Sequence, residues 1–271
     1  MGDVDRGIRK PNLLFDAYIF DIDGTVCLGE TLVPNADKVI QTLREQGKRT
    51  VFLSNNSTSS AANFAAHLTS IGIPTPTRDV VNSSMVLIGF LNTFIPKGRL
   101  LVLGEAALIT DLENAGFTVT DRDASVDAVI ASFDRDFTYA KLQAAFDAIR
   151  RGARFFATNN DKFRPLTIGG EPDAGAIIAA IEACTETSCE EIVGKPSRVT
   201  VDYLTARFMK NTQECIIIGD RLETDIQMGI NAEISSALVL TGATNLDMVN
   251  CSDIRPTYLI DSVCDLIPRG K

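Results

Sequence analysis

Histidine is nearly absent from this sequence: His67 is the single one in 271 residues. That excludes zinc sites built on two histidines and any triad or metal centre that needs several. His67 falls in Ala61–Gly72, a segment with helical patterning, and reads as a structural residue. No C-x-x-C pair occurs among Cys27, Cys184, Cys189, Cys215, Cys251 and Cys264, so they read as reduced, mostly buried thiols rather than a disulfide framework. No uninterrupted apolar stretch reaches the ~18–20 residues of a membrane helix. Met1 to Leu14 carry Asp3, Asp5, Arg6, Arg9 and Lys10 and no apolar signal core. Arg6 stands where a myristoylation motif after Gly2 wants Ser or Thr. Positive charge is short as well. A net charge of −9 argues against general nucleic-acid binding and against docking to anionic lipid. The expectation is a cytoplasmic protein with no nucleic-acid partner and no membrane partner.

What is present is an ordinary globular composition, 45% hydrophobic and 23% charged. A chain of this length buries roughly 70–75% of its unfolded surface and needs neither disulfide nor metal to hold a core. With histidine out, any catalysis falls to carboxylates and lysines.

Strand-like and helix-like segments alternate almost from end to end, with no fixed-period repeat and no low-complexity linker. Phe15–Ile22 reads as a buried strand, Asn35–Gln46 as an amphipathic helix closed by Gly47, and Thr50–Ser54 as the next strand. Ser59–Ile71 and Val81–Phe94 read as helices, the second ended by Pro96. After Gly98 the alternation restarts, with strands at Leu100–Leu103, Ala128–Ser132 and Arg154–Ala157 and helices at Glu105–Ala115, Tyr139–Arg150 and Asp173–Cys184. A third block follows: Ile192–Gly194, a helix over Val199–Met209, the strand Cys215–Ile218, a helix from Glu223, and strands at Ala237–Leu240 and Tyr258–Ile260. Short apolar runs separated by helices indicate parallel βαβ units, so the fold class is α/β.

Four clusters at predicted strand ends carry chemistry. Asp21-Ile22-Asp23-Gly24-Thr25 follows the strand ending in Phe20, where ligands of open α/β sheets bind. Ser54-Asn55-Asn56 offers a hydroxyl and backbone N–H groups leading into a helix, a ready anion site. Gly194-Lys195-Pro196 is not a P-loop, because Cys189 and Pro196 stand where Gly and Ser or Thr are required, yet Lys195 can serve as a fixed point charge for phosphate. Gly219-Asp220-Arg221-Leu222-Glu223-Thr224-Asp225 follows Ile216-Ile217-Ile218 and reads as a hard-cation site. Taken alone, the first is also a solvated turn and the third a surface lysine.

In this order, acid, hydroxyl, lysine, acid, the four clusters resemble the haloacid dehalogenase (HAD) superfamily over nearly the whole chain. Ser54-Asn55-Asn56, Val193-Gly194-Lys195-Pro196 and Gly219–Ile226 resemble its NagD-like phosphatase branch. The resemblance implies a Rossmann-like core with a parallel sheet, in two parts at 1–96 and 189–271, and a large α/β cap inserted at 97–188. It implies a magnesium-dependent phosphatase acting on a small phosphorylated metabolite, sugar phosphates first, then phosphoglycolate, pyridoxal phosphate or a nucleoside monophosphate. By similarity Asp21 is the nucleophile that becomes an aspartyl phosphate, and Asp23 protonates the leaving alkoxide and then activates water. Asp21, the backbone carbonyl of Asp23 and Asp220 would bind magnesium, with Asp225 behind them. Ser54, Asn55 and Lys195 would hold the phosphoryl oxygens. The resemblance leaves room for a homodimer.

Charge counting supports the cation independently. Asp21, Asp220 and Asp225 facing a phosphomonoester dianion need a counter-charge, since each unit pair at ~4 Å costs about 4 kcal/mol at an effective dielectric near 20. In the cap, Thr158–Pro165 resembles the branch's substrate loop, with Asn159, Asp161 and Arg164 as selectivity residues. An arginine there suits a substrate with a second anionic group or many hydroxyls. The bland alternative is that Lys162 and Arg164 are exposed loop charges. Dehalogenases of the family do without the metal and the second aspartate, whereas Asp23, Asp220 and Asp225 are all present. A phosphomutase is disfavoured by cap type, and a non-catalytic phosphate sensor would have lost a motif residue. Cys27, four residues after Asp23, is a candidate for redox sensing near the site.

Overall fold

A computed structural model describes residues 7–122, 125–165, 169–209 and 211–268. The reading of Met1 to Arg6 lies outside them. In chain order the elements are β1 (Ala17–Asp21), β2 (Cys27–Leu28), β3 (Thr31–Leu32), α1 (Ala36–Glu45), β4 (Arg49–Ser54), α2 (Ala61–Ser70), β5 (Val80–Asn82) and α3 (Ser83–Phe94). Then come β6 (Arg99–Leu103), α4 (Ala106–Asn114), β7 (Thr118–Thr120), β8 (Ala128–Ala131), α5 (Tyr139–Arg150), β9 (Arg154–Ala157), β10 (Phe163–Pro165), β11 (Gly170–Pro172) and α6 (Ala174–Thr185). The chain continues with β12 (Glu191–Ile192), α7 (Arg198–Phe208), β13 (Cys215–Gly219), α8 (Gln227–Ala232), β14 (Ser235–Val239), α9 (Leu246–Cys251) and β15 (Tyr258–Ile260).

The chain divides into two compact units. The first holds residues up to Ser54, Ala61–Val81 and the chain from Val201 on. Its sheet runs β15-β14-β13-β1-β4-β5. The pairs β15–β14, β14–β13, β13–β1 and β1–β4 are all parallel. Both faces of the central strands are covered, which is why they read as unbroken apolar runs: Tyr18, Ile19, Phe20, Ile216, Ile217 and Ile218 are all fully buried. The chain leaves β1 toward β4 and returns beyond it at β13, so the order reverses beside β1. Crevices at such a reversal, outside the carboxyl ends, are where these sheets take ligands. The ring nitrogens of His67 face the Gly29 carbonyl at 3.2 Å and the Glu30 carboxylate at 3.5 Å, in the β2–β3 turn. Arg9 pairs with Leu259 through two backbone hydrogen bonds and adds a short cover to the exposed edge of β15.

The second unit holds Asn55–Ser60 and Asn82–Thr200. Its sheet runs β12-β9-β8-β6-β7, again in parallel pairs. The unit is broader than the interval 97–188. Helix α3 belongs to it because Phe90 packs edge-on against Phe156 at 5.2 Å, and β12 belongs to it because Ile192 pairs with Ala157 of β9. Val81–Phe94 is not one helix, as the pattern indicated. Val80–Asn82 joins the sheet edge, and Asn82 then caps α3 by accepting from the Met85 N–H at 3.0 Å. Among the described residues no helix is long and apolar enough to cross a membrane.

Ile217 has no solvent exposure and lies between Ile19 and Ser236 on neighbouring strands. Ile217→Ala is expected to lower stability by about 2–5 kcal/mol in urea unfolding. A loss under 1 kcal/mol would contradict the packed sheet described here.

Candidate active site

Register places the acids of the first unit. Asp21 ends β1 opposite Leu53, so Ser54 ends β4 one residue later. Phe20 is opposite Ile218, so Gly219 ends β13 at the level of Asp21 and Asp220 follows it. Asp21, Asp220 and Asp225 bring one carboxylate oxygen each to within 4.8 Å of one another. Asp21 is half-buried, whereas Asp220 and Asp225 are buried, and Ser54 is buried as well.

Asp225 reaches this group because the chain after β13 does not enter an α-helix at once. Leu222–Ile226 forms a π-helical turn, with α8 beginning only at Gln227, where the sequence pattern indicates a helix from Glu223. The turn folds Asp225 back so that its Oδ2 accepts from the Arg221 N–H at 3.2 Å and from Thr224 Oγ1 at 3.4 Å. A Cβ on Gly219 would overlap the Asp225 carboxylate. Asp220 Oδ2 accepts from the Ala243 N–H at 2.6 Å, and the Thr244 N–H reaches the Asp220 carbonyl at 3.2 Å.

Glycine makes room on both sides of Asp220. Gly24 has φ +88°, and a Cβ on it or on Gly242 would overlap the Asp220 carboxylate. The Gly24 carbonyl accepts from Thr241 Oγ1 at 2.6 Å. The 241–244 loop carries no charged residue to mark it in the sequence, although Thr241-Gly242 after an apolar strand is the same kind of signal as Gly219-Asp220. Asp23 is exposed, and its loop closes through the Gly24 N–H donating to the Cys27 carbonyl at 2.7 Å. Thr25 Oγ1 lies 3.5 Å from Asp21 Oδ2.

The donor set is three carboxylates with no sulfur or imidazole, which fits a hard divalent cation and not a soft one. Like charges this close repel by a few kcal/mol even in a high effective dielectric, a repulsion that a bound cation would relieve. Cys27 does not fit a redox role. It is fully buried, and burial, with Asp23, Asp21 and Glu30 nearby, pushes its thiol up to about 12, which removes the reactive thiolate at neutral pH.

The remaining expected residues lie in the second unit, across the carboxyl ends of β8, β9 and β12. The Asn55 side chain accepts from the Lys195 N–H at 2.8 Å and donates to the Lys195 carbonyl and to Asp161 Oδ2, both at 3.2 Å. Asn159 donates to the same Asp161 oxygen at 2.9 Å and to Asp173 at 3.1 Å. Lys195 and Asn159 are buried. Arg164 is exposed on β10 opposite Glu171, apart from this group in its hydrogen bonding. The Arg135 guanidinium grips Glu105 at 2.6 and 2.9 Å and, with Arg164 also near, holds that carboxyl below its usual range.

Two family models match the chain, a haloacid dehalogenase-like hydrolase at residues 18–118 and a HAD-hydrolase-like model at 192–266. The sugar-phosphatase AraL of Bacillus subtilis is 37% identical over 248 residues, covering 92% of this chain and 90% of that protein. The structure of 4-nitrophenylphosphatase from Thermotoga maritima superposes with a TM-score of 0.89 at 33% identity, covering 93% of this chain and 96% of that one. NagD from E. coli K-12 gives a TM-score of 0.84 at 31% identity, covering 93% and 98%.

Two measurements check these assignments. Magnesium is expected to raise the thermal midpoint of the wild type, by the equivalent of about 2.7 kcal/mol at a hundredfold excess over Kd. Asp220→Asn is expected to lose that shift while gaining midpoint without metal, because it relieves the repulsion; an unchanged magnesium shift in the variant would refute the cluster as a cation site. In thiol titration of the folded chain at mildly alkaline pH, the exposed Cys184, Cys251 and Cys264 should react and Cys27 should not until the chain is denatured. Fast labelling of Cys27 in the folded chain would contradict its burial.

Proposed function

The chain belongs to the haloacid dehalogenase superfamily and is a phosphoric monoester hydrolase of its NagD-like branch, and from that premise we propose that it hydrolyses small phosphorylated metabolites, sugar phosphates first, with magnesium bound at Asp21, Asp220 and the Asp23 carbonyl. The observation that carries this reading is the convergence of Asp21, Asp220 and Asp225 at the sheet's reversal point, with their ligand oxygens within 4.8 Å. Bound magnesium would supply the positive charge that lets a phosphate dianion approach these acids.

Asp21 is half-buried at the end of a rigid strand, which suits an attacking carboxylate. It attacks phosphorus, the bond to the leaving oxygen breaks, and Asp23 gives that oxygen its proton. Asp23 then takes a proton from the water that attacks the phosphorus of the acyl phosphate, which frees inorganic phosphate and restores Asp21. The exposure of Asp23 on its loop is compatible with this exchange of protons with substrate and water. Ser54 contributes a hydroxyl donor and Lys195 a point charge for the phosphoryl oxygens. Asp225 orients its neighbours through its bonds to Arg221 and Thr224.

The second unit, as the cap, is assigned selectivity, with Arg164 as the group that meets the non-phosphate end of the substrate. Its exposure on β10 supports that assignment. The same reading places the protein in the cytoplasm and allows a homodimer.

The experiment is phosphate release from sugar phosphates, phosphoglycolate, pyridoxal phosphate, nucleoside monophosphates and p-nitrophenyl phosphate, with magnesium or EDTA. Turnover is expected only with magnesium, and Asp21→Asn is expected to lower kcat by at least about a thousandfold. Magnesium-independent turnover, or an active Asp21→Asn, would overturn the reading. Arg164→Ala should raise KM about tenfold for substrates with a second anionic group and leave p-nitrophenyl phosphate unaffected, a split that corresponds to about 1.4 kcal/mol.

A further inference from the structure

A chain of buried hydrogen bonds in the second unit has a direction that its chemistry fixes. Asn159 places its amide nitrogen between two carboxylates, Asp161 at 2.9 Å and Asp173 at 3.1 Å, which sets the orientation of the amide. Its oxygen therefore accepts, and Thr158 Oγ1 donates to it at 2.8 Å. A hydroxyl has one hydrogen, so Ser132 must donate to Thr158 at 2.8 Å, and Ser57 must donate to Ser132 at 2.7 Å. Ser57, Ser132, Thr158 and Asn159 are all at most 2% exposed. The series runs one way, from Ser57 to the acids, and Asn159 has both hydrogens and its oxygen committed.

Asp161 Oδ2 receives Asn159 and also Asn55, and Asn55 spans the backbone of Lys195 with both ends of its amide. Gly194 is shaped for that span. A Cβ there would lie 2.5 Å from the Thr158 carbonyl and 2.8 Å from the Asn55 amide oxygen. Lys195 is thus held by its main chain, through a side chain that is itself held by the series.

We propose that Asn55 and Asp161 are positioning residues that act on the reaction through Lys195, and that Asn159 holds Asp161 rather than the substrate. The proposal rests on the phosphatase reading. It differs from that reading in what these three side chains touch: they meet protein, and the selectivity of the second unit falls to groups such as Arg164 that are exposed. Positioning by a rigid, buried frame is the means by which a small displacement of a charged group costs a large factor in rate.

A double-mutant cycle on p-nitrophenyl phosphate with magnesium tests this. Lys195→Met removes the ammonium and keeps the main chain that Asn55 grips. Asn55→Ala is expected to lower kcat roughly 10–100-fold with KM changed less than about threefold. The double variant is expected to be no slower than Lys195→Met alone. Asp161→Asn keeps an oxygen for both donors and should lose less activity than Asp161→Ala, which should fall with Asn55→Ala. Circular dichroism and unfolding midpoints show which variants are folded. If Asn55→Ala does not fold, the same cycle is run with Asp161→Ala. Losses that multiply in the double variant, or a reordering of the preferred substrates in Asn55→Ala or Asp161→Asn, would overturn the proposal. A wild type inert toward p-nitrophenyl phosphate and toward every metabolite would remove the phosphatase reading itself, an outcome that no variant result imitates.

Discussion

The parallel register of β1 with β13 on one side and β4 on the other governs the rest of the first unit. It delivers Asp21, Asp220 and Ser54 to one end of the sheet without any loop having to find them. Hydrophobic burial supplies the rigidity: strands with no exposed side chain at Tyr18, Ile19, Phe20, Ile217 and Ile218 cannot slide without exposing their apolar surface to water. A like-charge cluster is unfavourable by itself. It persists because the sheet holds it and because Gly24, Gly219 and Gly242 leave no side chain between its members. The π turn at Leu222–Ile226 adds the third acid by a local departure from helical geometry, of the kind that recurs at functional sites.

The second unit repeats the device with different chemistry. Its polar groups also leave the carboxyl ends of parallel strands: Ser132 after β8, Thr158 after β9, Gly194 and Lys195 beyond β12. Instead of gathering carboxylates, it commits the side chains of Ser57, Ser132, Thr158 and Asn159 to one another and to Asp161 and Asp173. A fully satisfied buried network is rigid, whereas a partly satisfied one is costly, so the commitment of Asn159 on all sides is what makes it a support. The two units thus use the same kind of strand end differently: the first gathers three carboxylates, and the second pins the main chain of a buried lysine.

The acids were legible in the sequence because each follows an apolar run, a pattern that both marks a buried strand and places the next residue at its end. Asp21, Ser54 and Asp220 were found in this way. The role of Asn55 was not, because a side chain that grips the backbone of a residue far along the chain leaves no local trace; its type and position suited an anion site equally well. The strand at Val80–Asn82 was hidden in a longer apolar stretch, since a short buried strand running straight into a helix shows no change of period. The loop at Thr241–Thr244 shows no charged residue in the sequence, yet its backbone N–H at Ala243 is what Asp220 accepts from. Cys27 looked available from its spacing, and only burial shows why its thiol stays protonated.

The central claim is that the carboxylate at the end of β1 carries the phosphoryl group. Quenching the enzyme during turnover of p-nitrophenyl phosphate and reducing with borohydride converts an acyl phosphate to a homoserine, which peptide mass spectrometry locates. The account requires that homoserine to stand in place of Asp21. Homoserine found in place of Asp23 or another acid, with Asp21 intact throughout turnover, would contradict it.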